Sequence, residues 1–116
     1  MDNKKFSKQL EKRTKLFAIS IIKLSSLLPN TTEARVIKNQ ISKSGTSIGA
    51  NYREANRSRS KADFLNKIKI CESEASETVY WLEIIEEMKW SDIDSIKAES
   101  SELLALFTSI AKKLKQ

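Results

Sequence analysis

The stretch Ser44–Asn56, SGTSIGANYREAN, holds both glycines of the chain, a run of small residues and the first arginine of a basic cluster. Glycine in a helix interior costs about 1 kcal/mol relative to alanine. Two of them, four residues apart at Gly45 and Gly49, therefore serve close backbone approach or a local break. Ile37, Ile41, Gly45, Ile48, Tyr52 and Ala55 repeat at the spacing of one buried helical face. Ser47, Asn51 and Glu54, with Gln40, form a polar flank beside that face, suited either to solvent or to a close helix or subunit contact. Arg53 and Arg57 point away from both.

The pattern extends outward in both directions. Upstream, Phe6, Leu10, Phe17, Ile21, Leu24 and Leu28 make a stripe over residues 4–28, ended by Pro29, which drives its predecessor out of the α region. Leu16, Ile19 and Ile22 lie off the stripe, so this helix is expected to have neighbours on more than one side. Thr31 or Thr32 caps a second helix over residues 32–56. Downstream, Asn56–Lys61 is a polar, basic turn in which Ser60 caps a third helix over residues 61–89. Its stripe of Phe64, Ile68, Cys71, Ala75, Thr78, Leu82 and Ile85 has the 4-3 alternation of a bundle seam. A second line on the same helix, Ile70, Trp81, Ile84 and Met88 beside Glu74 and Glu77, is expected to be covered by another chain, or else by a loop or the N-terminal segment. Ser91 or Asp92 caps a fourth helix over residues 93–115. The expected fold is all-α: one domain over residues 1–116, an antiparallel up-down four-helix bundle.

Composition agrees with this. Of the 116 residues, only two are glycine and one is proline, leaving little material for hairpins or barrels. No run approaches the ~20 apolar residues of a membrane span, and the basic N-terminus lacks the apolar core of a signal peptide. A single cysteine permits no internal disulfide, so a reducing cytoplasm and no membrane association are expected.

Charge is uneven along the chain. Residues 1–61 hold fourteen Lys/Arg against four Asp/Glu, a balance of +10, and residues 62–116 hold seven against eleven, a balance of −4. Two readings stay open: a face for a polyanion, or complementary halves that pack or oligomerise. Arg35, Lys38, Lys43, Arg53, Arg57, Arg59 and Lys61 are the candidate nucleic-acid-binding residues, because arginine forks suit phosphate oxygens. No aromatic–basic interleaving of the base-reading type is present. Ser47, Asn51, Glu54, Ile70, Glu74, Glu77, Trp81, Ile84 and Met88 are the candidate oligomer interface.

Enzyme chemistry finds no foothold. The absence of histidine removes the commonest general base and metal ligand, and with them the Glu-x-x-His sites of di-iron bundles. Cys71 falls in the core stripe, the glutamates of the third helix read as a solvated face, and no phosphate-cradling or dinucleotide fingerprint occurs. No cofactor, metal or catalytic residue is expected.

LEKRTKLFA, the Leu28–Pro29 pair and the run SGTSIGANYREANRSRSKADFLNKIKICESEASETVYWLEII together resemble a bacterial four-helix bundle family. Its founding members are encoded in intervening sequences of large-subunit ribosomal RNA genes. The resemblance covers residues 10–88 in register, with motif positions at Ser44, Gly45, Ser47, Asn51, Glu54, Ala55, Phe64, Ala75, Glu77 and Leu82. It implies a ring assembly, usually a homopentamer. It also implies distant kinship with the accessory variability protein of diversity-generating retroelements, which binds nucleic acid and a reverse transcriptase. The expected function is a non-enzymatic, homo-oligomeric protein that binds RNA or DNA, with a scaffold for a protein partner as the alternative.

Overall fold

Four α-helices account for the chain in the computed structural model, which describes residues 3–115: α1 Asn3–Leu27, α2 Thr32–Ala55, α3 Lys61–Glu87 and α4 Asp94–Leu114. The described residues contain no strand. Local chemistry explains most helix ends. Thr31, in extended backbone, accepts the Ala34 N–H at 3.1 Å, and Ser60 accepts the Asp63 N–H at 3.1 Å. Each satisfies one orphan donor of a first turn. α4 departs from expectation: its N-cap is Ile93, which is buried and makes no side-chain cap bond. The Asp92 carboxylate instead accepts the Asp94 N–H at 3.1 Å.

The end of α3 also differs from the expected residue 89. Lys89 adopts a left-handed φ of 58°. The Lys89 N–H donates to the Glu86 carbonyl and the Trp90 N–H reaches back to Ile85. That pair of bonds is a Schellman stop with lysine where glycine usually stands.

The core runs the length of the molecule, from Leu10 and Tyr52 at one end to Leu28, Ile85 and Ile93 at the other. α2 packs on α1 and α3, and α4 packs mainly on α3, with a lighter contact to α1. Tyr52 of α2 meets Phe107 of α4 edge-on across the interior, with ring centroids 5.6 Å apart.

The two glycines explain the closeness of α1 to α2. A Cβ at Gly45 would sit 2.8 Å from Ile21, and one at Gly49 would sit 2.9 Å from the Thr14 hydroxyl. Of the two uses open to these glycines, the structure selects close approach, because α2 runs unbroken through both. Small polar residues join the helices within the packing. The Ser25 and Ser42 hydroxyls meet at 2.9 Å between α1 and α2, and the Thr78 hydroxyl lies 2.8 Å from that of Ser44 between α3 and α2. Ser44 was absent from the expected stripe, yet it is buried and hydrogen-bonded.

Candidate functional site

The turn that joins α2 to α3 carries the basic cluster. Arg57 and Ser58 close it by donating their N–H groups to Glu54 and Ala55, which leaves the side chains of Arg53, Arg57, Arg59 and Lys61 exposed. Glu11 of α1 holds the near edge, accepting from the Asn56 amide at 2.8 Å and standing 3.9 Å from Arg53 Nε. Among the described residues, no carboxylate lies within 4 Å of Arg57, Arg59 or Lys61. Three cations therefore face water without an acidic neighbour.

The same contacts bring other elements to this end. Glu11 ties the first half of α1 to the last turn of α2, and Phe6, Gln9 and Arg13 of α1 line a cleft with Leu106 of α4. Lys4, Lys5, Lys8, Lys12 and Lys15 and the α4 lysines Lys112, Lys113 and Lys115, all exposed, thus join the turn at one end of the molecule. Residues 3–15, 50–69 and 104–115 hold fifteen Lys/Arg against three Asp/Glu, a balance of +12. Residues 20–40 and 77–98, at the other end, hold five against seven, a balance of −2. Charge is segregated by end of the molecule, which a split between first and second halves of the chain does not capture.

The remaining candidate cations lie elsewhere. Arg35 and Lys38 sit near the start of α2, about 27 Å and about 22 Å along the helix from Arg53 at ~1.5 Å per residue. Lys38 is half-buried and donates to the Asn30 side chain at 3.2 Å. Lys43, mid-helix, is a counter-charge to Glu74.

The nine candidate interface residues fall on two adjoining helices. Ser47 and Asn51 spend their hydrogen bonds inside α2, donating to the carbonyls of Lys43 (2.6 Å) and Ser47 (2.9 Å), and Glu54 is exposed. On α3, Trp81 donates to Glu77 at 3.3 Å and stacks edge-on against Tyr80. Trp81 and Ile84 are half-buried, while Ile70 and Met88 are 41% and 52% exposed. Glu74 and Glu77 are half-buried. Burial first, and the neighbouring Glu77 second, push the Glu74 carboxyl above its ordinary value, partly countered by Lys43. Neither a loop nor the described N-terminal residues cover this line.

α1 has neighbours on two sides, α2 and α4, but neither covers the residues off its stripe. Leu16 and Ile22 are 55% and 54% exposed, so no neighbour within the chain covers that side of α1. Ion pairs between helices are few among the described residues. Arg13 grips Glu99 of α4 with two bonds of 2.7 Å, and Lys97 meets Glu86 at 2.7 Å.

Burial pushes the Cys71 thiol up to about 12, and its weak bond goes to the Ile48 carbonyl. Among the described residues no cluster of three or more Cys, Asp or Glu is placed to hold a metal ion. No helix there is long and apolar enough to cross a membrane.

Four helices around one core, closed by a glycine-mediated crossing and basic at one end, define a small all-helical protein. The chain belongs to the 23S rRNA-intervening sequence protein family, whose model matches residues 8–116. That match takes in α4, beyond the range of residues 10–88 over which the sequence resemblance holds in register. A crystal structure at 1.70 Å of a protein of unknown function from the S23 ribosomal protein family of Bacteroides thetaiotaomicron VPI-5482 is similar: 41% identical, TM-score 0.81, covering 88% of this chain and 97% of that one. No curated protein matches.

Proposed function

We propose that this protein is a non-enzymatic, cytoplasmic, homo-oligomeric up-down bundle of a single domain, and that its basic end binds the backbone of RNA or DNA. The observation that carries the reading is the concentration of exposed cations at one end, with Arg57, Arg59 and Lys61 lacking acidic neighbours. Backbone phosphates reward such a surface through counterion release, and affinity then falls steeply with salt. The up-down arrangement is supported by the pairing of early α1 with late α2 and late α4. Turns of a few residues join helices that are long compared with the 23 × 20 Å cross-section. Homopentamer is the ring size that the family resemblance implies.

A protein-partner scaffold is the second reading, favoured by the uncovered aliphatic side of α1. Under that reading a reverse transcriptase is one partner class that the resemblance suggests. Mobility-shift titration with RNA and with DNA separates the two. Nucleic-acid binding predicts a shift at low salt that fades as salt rises, and a weaker shift in Arg57→Ala/Arg59→Ala/Lys61→Ala. The scaffold predicts no shift at micromolar protein, and altered assembly when those charges are reversed.

A further inference from the structure

Two uncovered faces of this chain differ in character. On α1, Leu16, Ile19 and Ile22 stand exposed between Lys15 and Lys23. At about 100° per residue these five positions share roughly 120° of the helix circumference. On α3, Ile70, Trp81 and Met88 share a narrower arc with Glu74 and Glu77. One face is aliphatic with lysines, the other aromatic and aliphatic with glutamates. α1 and α3 are not adjacent, each packing against α2 and α4, and both faces are exposed, so the two faces do not cover each other within one chain.

We infer that the α1 face of one copy packs on the α3 face of the next, a head-to-tail contact between copies of this chain. The inference rests on the reading of the protein as a homo-oligomer and adds which surfaces meet. Unlike faces in contact make a heterologous interface, which closes into a ring or runs on as a filament. A two-fold pairing of either face with itself would set lysines against lysines or glutamates against glutamates. Burial first and Glu77 second raise the Glu74 carboxyl, and an incoming lysine offsets the repulsion between the two carboxylates. Charge complementarity also fixes register and suppresses wrong pairings.

Two double variants test the pairing, read by light scattering. Ile19→Asp/Ile22→Asp spoils the α1 face, and Ile70→Lys/Met88→Lys spoils the α3 face. All four residues are exposed in the single chain, so helicity by circular dichroism is expected to hold. Serine at the same positions repeats the test should either pair lose helicity. The wild type is expected at a multiple of 13.2 kDa, and each variant alone at the single-chain mass. Their equimolar mixture is expected to reach twice that mass and stop, because one intact α1 face meets one intact α3 face. A wild type at the single-chain mass overturns the oligomer reading itself. A wild-type oligomer whose α3-face variant still self-associates, or whose mixed variants gain no mass, overturns the head-to-tail pairing alone.

Discussion

Gly49 sets how near α1 and α2 can come. A methyl group there would press on the Thr14 hydroxyl and Cβ and, at 3.3 Å, on the Thr14 backbone carbonyl carbon, which cannot rotate away. At Gly45 the obstacle is Ile21, a β-branched side chain with little rotamer freedom in a helix. Alanine returns about 1 kcal/mol of helix propensity, while overpacking costs about 1–3 kcal/mol. Both Gly→Ala variants are therefore expected to lower the denaturant midpoint, with Gly49→Ala losing up to about 2 kcal/mol net. A raised midpoint at either position would contradict the close approach. The sequence disclosed the glycines but not their partners, since nothing in the spacing says that Thr14 and Ile21 face them.

Cys71 offers a second test at this scale. Its folded value, about 12, lies above the ordinary thiol value of about 8.5. The fold thus favours the protonated thiol. The associated stability is present below the unfolded value and is lost as pH rises toward the folded one. At pH 8, iodoacetamide should label the native protein far more slowly than the same chain in denaturant. Equal rates would place Cys71 outside the core.

The elements were legible where side chains carry the signal. The 4-3 stripe of α3 is buried from Ile68 through Ile85, and the Ser60 cap could be read from its position three residues before Asp63. Ser60→Ala should cost about 1 kcal/mol, measured by thermal unfolding. The end of α3 was not legible, because lysine gives no sign of a left-handed position. That site yields a prediction of opposite sign. Glycine at position 89 removes the steric penalty of roughly 1 kcal/mol that a side chain meets at positive φ, so Lys89→Gly should raise the unfolding midpoint. α4 misled for a different reason: Ile93 is the cap position yet belongs to the core, so burial overrides capping chemistry there.

For the whole molecule, the sequence made the cations countable without showing where they gather. Fourteen basic residues in residues 1–61 suggested a basic half. Folding instead divides that half, sending Arg35 and Lys38 to one end and Arg53 to Lys61 to the other. It then adds the lysines of early α1 and late α4, which sequence reasoning had not counted as binding residues. The available signal was topological. Once helices alternate in direction, the start of the first, the end of the second and the end of the fourth share an end. The uncovered α1 face was harder to foresee, since apolar residues off a stripe look the same whether the neighbour is in the chain or in another copy.

The salt dependence of RNA binding addresses the central claim most directly. In a titration across monovalent salt, the logarithm of affinity should fall linearly with the logarithm of salt concentration. The Arg57→Ala/Arg59→Ala/Lys61→Ala variant should show a slope shallower by about 2–3, near one for each phosphate contact removed. An affinity absent at low salt, or a slope unchanged by losing those three cations, would contradict the proposal that this end of the protein holds a nucleic-acid backbone.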